Sequence, residues 1–444
     1  MIARIFSLGD EGYKNEEIDM HSKYRIRRAE SPEDAGKLRS HFDKIFLPEE
    51  VGAFAETIFS HFPGMKNERW FIAVEEETEE IAAAFALIPW TWEMAGLRLK
   101  VAEMGIVGTG EAHRNKGLMR LLSREFDATL EEEGFDLAVV QGIPGFYRRF
   151  GYHYSIPLEP HIDIPLHLVP DSAGDSYEFR LAETEDAPFL VREDERYRRS
   201  NFLSVFRDER VWKYLLTFSP KIACGSEFWI MEGRKTEEKY YFRISRQGFG
   251  EGLIVSEISE SVSDDGLISL LAFCKKKCGE RDKPYIRLNL SRESTAAKTA
   301  ISFGASVGRP YAWQIKIPDK IRFLEKIAPV LEVRLKESSL ASFTGILRLD
   351  FYREQIDLNW SDGRLESVTS GGEEECPKTL FLSEDLFSAL VLGHRTWREL
   401  QRVRPDIFPA MLYVGSGTEG ARDKTIRLID VLFPAERSWI YEQY

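Results

Sequence analysis

The chain has 444 residues, which at roughly 150 residues per domain makes about three domains. Hydrophobic residues are 43% and charged residues 30% of it, a balance that excludes a disordered chain or a fibre. The net charge of −13 makes nucleic acid a poor partner, and no apolar run, Ile81 to Pro89 included, reaches the ~20 residues a membrane helix needs.

The N-terminus, MIARIFSLGDEGYKNEE, turns acidic before a signal-peptide stretch can develop, so residues 1–23 read as an extension. Four cysteines in so long a chain make no disulfide framework and fit a reducing, cytoplasmic location. From Tyr24 the chain begins a pattern that it later repeats. Tyr24-Arg25-Ile26-Arg27-Arg28-Ala29-Glu30-Ser31 resembles Tyr177-Glu178-Phe179-Arg180-Leu181-Ala182-Glu183-Thr184, 153 residues on. Phe150-Gly151 matches Phe303-Gly304 at the same offset, and the match runs on through Pro157/Pro310, Ile162/Ile315 and Pro165/Pro318. Two distant blocks sharing one offset imply two copies of one fold.

In each copy a short alternating strand runs into Ser31 or Thr184, a candidate helix cap before an acidic first turn. Copy one then offers strands near Trp70–Val74, Ile81–Pro89 and Leu97–Val107, a helix near Gly117–Glu133 and a strand at Leu137–Gln141. This order predicts an α/β unit around a mixed sheet. From about Asp319 the pattern changes. Leu331–Leu335 and Gly345–Phe351 alternate as strands do, and Ser361-Asp362-Gly363 predicts a hairpin between Gln355–Trp360 and Arg364–Thr369. A helix over Ser383–Leu392 follows, with Gly393 as its C-cap, in a compact α+β module. The expected domains are 1–165, 166–318 and 319–444.

The chemistry concentrates in two segments. In Met104–Arg120 a strand runs into the glycine-rich, cationic loop Gly110-Glu111-Ala112-His113-Arg114-Asn115-Lys116-Gly117, then into a helix with apolar Leu118, Leu121, Leu122 and Phe126. Unpaired N–H groups at such a helix start suit a pyrophosphate, and Arg114 and Lys116 add charge. At the same offset copy two has Leu267, Ser269 and Leu270, with neither glycine nor cation. The second segment is Gly142-Ile143-Pro144-Gly145-Phe146-Tyr147-Arg148-Arg149-Phe150-Gly151-Tyr152; copy two keeps Phe-Gly but has Ala300 in place of Tyr147, which points Tyr147 toward chemistry.

Val107–Met119 followed by Phe146–Tyr152 resembles a Gcn5-related N-acetyltransferase (GNAT), and more narrowly the Eis (enhanced intracellular survival) type. Members of that type join two tandem GNAT folds, the second typically degenerate, to a C-terminal domain resembling sterol carrier protein, and they can form hexamers. Met119 stands where the general GNAT loop has Gly or Ala, a departure that the narrower type shares. The resemblance implies acetyl-CoA as donor and an amine as acceptor, with no metal. It implies a pantetheine held by Val107, Gly108 and Thr109, and a pyrophosphate held by Arg114, Asn115, Lys116, Gly117, Leu118, Met119 and Arg120. Gly142 and Ile143 would complete the cleft, Tyr147 would be the proton donor, and the carboxylate of Tyr444 the base. Glu103, in the strand entering the loop, is a further candidate acid or base against an ordinary sheet-face charge. Trp70, Trp90 and Trp92 are candidate amine-pocket residues against core packing, and Cys274 with Cys278 a weak candidate metal pair. The competing function is a non-catalytic protein binding a CoA ligand or a lipid, and a third is an acyltransferase using another acyl-CoA.

Overall fold

The computed structural model describes residues 23–444 except 173, 223–224, 249, 373, 375, 377, 411–418 and 442–443, and for 419–424 the backbone alone. Copy one contains β1 (Tyr24–Arg28), α1 (Glu33–Phe46), α2 (Val51–His61), β2 (Trp70–Glu75), β3 (Ile81–Met94), β4 (Leu97–Thr109), α3 (Leu118–Glu132), β5 (Leu137–Val140), β6 (His153–Leu158) and β7 (Ile162–Pro165). Copy two contains β8 (Tyr177–Leu181), α4 (Ala187–Arg199), β9 (Leu203–Phe206), α5 (Glu209–Phe218), β10 (Ser226–Gly233), β11 (Lys239–Ser245) and β12 (Leu253–Ile258). It continues with α6 (Asp264–Glu280), β13 (Tyr285–Leu288), α7 (Thr295–Ser302), β14 (Ser306–Val307) and β15 (Tyr311–Lys316).

Two mixed sheets result, one per copy, and each is completed by the other. The first runs β1-β2-β3-β4-β5-β15-β6, with β9 pairing β3. The second runs β14-β7-β13-β12-β11-β10-β8. Ile162–Pro165, the end of copy one, thus lies between β13 and β14, while Tyr311–Lys316, the end of copy two, lies between β5 and β6. The 153-residue repeat relates these two strands, so the copies have exchanged equivalent elements. Gly151 and Gly304 have left-handed φ values of 82° and 99°, the conformation that favours glycine after a helical turn.

Amphipathic α3 buries Leu118, Leu122, Phe126 and Leu130. Phe126 lies 5.5 Å from Phe71 and 5.6 Å from Phe85 between ring centroids. Each such side chain contributes about 1.5–3 kcal/mol by leaving water, which fixes the helix start that faces the glycine-rich loop.

The third part contains α8 (Lys320–Lys326), α9 (Ala328–Lys336), β16 (Gly345–Asp350), β17 (Gln355–Ser361), β18 (Arg364–Ser370), β19 (Thr379–Phe381), α10 (Glu384–Val391), α11 (Trp397–Gln401), β20 (Phe408–Pro409) and α12 (Glu419–Leu432). Its sheet order is β18-β17-β16-β19-β20, and the expected hairpin turns at Asp362-Gly363. Among the described residues no helix is long and apolar enough to cross a membrane.

Three sequence expectations are corrected. Leu331–Leu335 lies in α9, because Leu331 and Leu335 are also at helical spacing and both are fully buried. Ser31 and Thr184 do not cap by their hydroxyls: Asp34 accepts the Glu30 N–H (2.9 Å) and Asp186 the Glu183 N–H (3.0 Å). Each aspartate is gripped in turn by an arginine of the preceding strand, Arg27 or Arg180. Finally, α6 begins at Asp264, so Leu267, Ser269 and Leu270 are inside a helix rather than before one; the repeat's offset slips in the middle of the unit.

Candidate active site

β4 and β5 pair in parallel only from Val101 to Glu103, while β4 runs on to Thr109. Beyond Glu103 the strands part, and among the described residues the β5-facing edge of Gly105–Thr109 has no strand neighbour. Ile106 has φ 54°, and the β3–β4 register slips there, a bulge that turns the edge outward. Gly108 is required by packing, since a Cβ would come 2.9 Å from the Phe42 ring of α1. Val107 and Thr109 are half-buried beside it.

The loop that follows is built for close approach. Asn115 and Gly117 both have left-handed φ, 61° and 73°, and α3 starts at Leu118 with no side-chain cap. The Arg120 and Leu121 N–H groups turn back onto the Gly117 carbonyl (2.9 and 3.3 Å), so among the described residues it is the N–H groups of Leu118 and Met119 that remain for a ligand at the positive end of the helix. Arg114, Asn115, Lys116 and Arg120 are exposed and Met119 half-buried. Lys116 Nζ donates to the Tyr24 hydroxyl (3.0 Å), which also bonds His113 Nδ1 (2.9 Å), so β1 tethers the loop. Copy two differs at the same place: Ser263 caps α6 by accepting from the Gly266 N–H (3.1 Å).

Across the gap, the Gly142 carbonyl accepts from the Tyr311 hydroxyl (2.6 Å) and from Gln314 Nε2 (2.8 Å), both on the exchanged strand β15. A Cβ on Gly142 would lie 2.2 Å from the Tyr147 ring; Ile143 is 65% exposed. Tyr147 is buried against Phe146, Phe150 and Tyr152. Burial pushes its phenol up to about 12, so it stays protonated at neutral pH.

Glu103 and Tyr444 come together although 341 residues separate them. The Tyr444 hydroxyl donates to Glu103 Oε1 at 2.5 Å, and Trp90 Nε1 donates to Glu103 Oε2 at 3.0 Å. The Tyr444 ring lies 4.7 Å from Phe54 of α2 and 6.3 Å from Trp90. Its main-chain oxygen accepts from Arg243 Nη2 on β11 of copy two. Glu103 is 1% exposed, and burial raises its carboxyl to about 7 against the two hydrogen bonds that lower it. Trp70 and Trp92 are core residues, and Cys274 and Cys278 are buried in α6. The Trp90–Glu103 pair and Arg243 were not singled out as partners from sequence. The first was within reach, because the tight Ala95-Gly96 turn fixes the register that brings Trp90 beside Glu103; Arg243 carries no such local signal.

Residues 25–155 match the family described as an acetyltransferase (GNAT) domain. The chain carries a GNAT acetyltransferase domain. Such a domain implies nitrogen acylation from acetyl-CoA or another acyl-CoA, and the open β4 edge and uncapped α3 fit that donor. Solved structures extend the likeness of fold over nearly the whole chain. A conserved protein of unknown function from Enterococcus faecalis, a probable N-acyltransferase, has TM-score 0.66 at 13% identity, covering 95% of this chain and 100% of its own. A GCN5-related N-acetyltransferase from Anabaena variabilis has TM-score 0.64 at 15% identity, covering 94% and 99%. Eis1 from Mycobacterium abscessus has TM-score 0.57 at 15% identity, covering 95% and 100%. No curated protein matches the sequence. The likeness of fold thus runs beyond the matched residues 25–155 to nearly the whole chain.

Proposed function

We propose that the protein is a cytoplasmic N-acetyltransferase that moves the acetyl group of acetyl-CoA to a primary amine of a small molecule, such as an aminoglycoside, or of a lysine side chain. The observation that carries the reading is the parting of β4 from β5 ahead of an uncapped helix, with Tyr147 buried beside the gap. Val107, Gly108 and Thr109 hold the pantetheine. Arg114, Asn115, Lys116, Gly117, Leu118, Met119 and Arg120 hold the pyrophosphate, and Gly142 and Ile143 complete the cleft. Residues 1–165, 166–318 and 319–444 are then a catalytic GNAT domain, a degenerate one and a sterol-carrier-like domain, and the hexamer of the resembled type comes with that assignment.

A primary amine with pKa ~10 is mostly protonated at neutral pH and must lose a proton before it attacks. The nitrogen then adds to the thioester carbon. Backbone N–H groups near Ile106–Thr109 stabilise the oxyanion. The C–S bond breaks, and the thiolate takes its proton from Tyr147 or from water that Tyr147 orients. Two carboxylates can take the amine proton. The Tyr444 carboxylate is the one implied by the Eis resemblance. The second reading gives the task to Glu103, because Arg243 already engages the Tyr444 main-chain oxygen, whereas Glu103 meets two hydrogen-bond donors and is held at about 7, a poise suited to a base at neutral pH.

A thiol-release assay with acetyl-CoA and a panel of amines tests the activity. Tyr147→Phe is expected to lose turnover while binding acetyl-CoA as tightly as before; a protein that binds acetyl-CoA but releases no thiol with any amine belongs to the ligand-binding class instead. A glycine added after Tyr444 is most damaging if the Tyr444 carboxylate is the base. Glu103→Gln is most damaging if Glu103 is.

A further inference from the structure

The second copy has a capped helix where the first has an open loop, yet it buries a charge cluster that ends on the last residue of the sequence. Arg207 donates to both oxygens of Glu257 (2.9 Å each) and to Asp194 (3.0 Å). Arg243, fully buried, shares Glu257 (Nη1 to Oε1, 3.0 Å) and gives its other nitrogen to the main-chain oxygen of Tyr444. The described residues 437–441 before it are held in place: Arg437 pairs with Glu260 (2.8 Å), the Trp439 N–H donates to Leu203 O (3.0 Å), and Tyr441 stacks on Tyr197 with centroids 4.4 Å apart. From this anchor Tyr444 crosses to the first copy and sets its phenol on Glu103.

We infer that Arg243 of the second copy is a positioning residue for the reaction in the first, gripping Tyr444 so that its phenol meets the Glu103 carboxyl. The inference rests on the reading in which Glu103 takes the amine proton. It assigns the second copy a task that needs no acetyl-CoA of its own. The groups facing Glu103 are the Trp90 indole from β3 and the Tyr444 phenol, with the Phe54 ring of α2 behind that phenol. Both hydrogen bonds favour the carboxylate, so loss of the phenol alone moves Glu103 further up. Arg243 thereby acts on a proton acceptor that it never touches.

The test uses the whole chain with Arg243→Met, Arg243→Lys, Tyr444→Phe and the Arg243→Met/Tyr444→Phe pair. Thiol release is followed against pH, and amide hydrogen exchange is followed at Trp439. Arg243→Met is expected to lower kcat on the order of 100-fold, the scale of a misplaced catalytic group, with KM for acetyl-CoA unchanged because the phosphate loop belongs to copy one. Tyr444→Phe is expected to move the acid limb of the pH profile upward, and the double variant to be no slower than the worse single one. Arg243→Lys, which keeps a cation, should recover part of the rate, and it replaces the methionine variant in the cycle if that variant does not fold. Additive losses, or an Arg243→Met enzyme with unchanged kcat, would overturn the inference. If Glu103→Gln leaves turnover intact, the catalytic reading has failed instead. Exchange at Trp439 then still reads the anchor, which Arg243→Met must loosen if Arg243 holds the segment.

Discussion

Glu103 is a carboxyl that folding has moved toward neutrality. Burial lifts it from the ordinary carboxylate range to about 7, so the folded chain holds a proton that the unfolded chain has released. The consequence for stability has a definite sign. The protonated side chain is tolerated below the unfolded value, and stability falls as pH rises through about 7, because the buried group must then be charged. Glu103→Gln removes that cost. It is expected to raise stability at pH 8.5 by about 3 kcal/mol, taking 1.36 kcal/mol per pKa unit, and to leave stability at pH 4 nearly unchanged; urea unfolding at the two values measures both. The same variant should lose on the order of 10²–10⁴ in turnover if Glu103 is the base. The sequence made Glu103 visible as a charge in an apolar strand. It did not make the phenol of Tyr444 visible as its partner, because a contact across 341 residues depends on how distant parts of the chain pack together, and no local pattern records that.

At the scale of elements the legible parts were those in which one physical reason dominates. The glycine-rich loop and α3 could be read because left-handed φ at Gly117 and apolar residues at helical spacing each leave a sequence trace. Leu331–Leu335 was misread because its leucines satisfy both periods, and the helical one buries them. The two helix starts that differ between the copies give a paired expectation. Gly117→Ala places a Cβ on a φ of 73°, costs about 1 kcal/mol in a left-handed conformation, and should raise the KM for acetyl-CoA. Ser263→Ala removes the cap of α6 at a similar cost of about 1 kcal/mol, and should leave that KM alone. Thermal unfolding together with steady-state kinetics separates a loop that holds phosphate from a helix end that only folds. Gly142→Ala belongs to the same scale. Its Cβ would meet the Tyr147 ring at 2.2 Å, so kcat should fall as in Tyr147→Phe while the loop's contribution to KM persists.

For the whole molecule, the repeat announced two copies but not that they exchange strands. Ile162–Pro165 and Tyr311–Lys316 carry equivalent alternating sequences, so either fits the same slot in either sheet, and hydropathy has no means of telling the two arrangements apart. The exchange makes the copies interdependent. Without residues beyond 165, β5 and β6 lose the strand between them, and the Gly142 carbonyl loses both Tyr311 and Gln314. An isolated 1–165 fragment would expose two unpaired strand edges beside the cleft, a condition that favours aggregation over folding. It is therefore expected to show no cooperative urea transition and no thiol release with acetyl-CoA, although it contains every proposed acetyl-CoA contact. Co-expression with 166–444 should restore both, because β15 can enter from a separate chain as readily as along the same one, while β7 completes the second sheet in return. A fragment that folded cooperatively and turned over alone would mean that the exchanged strand is dispensable to the cleft, and that the tandem arrangement serves something other than completing it.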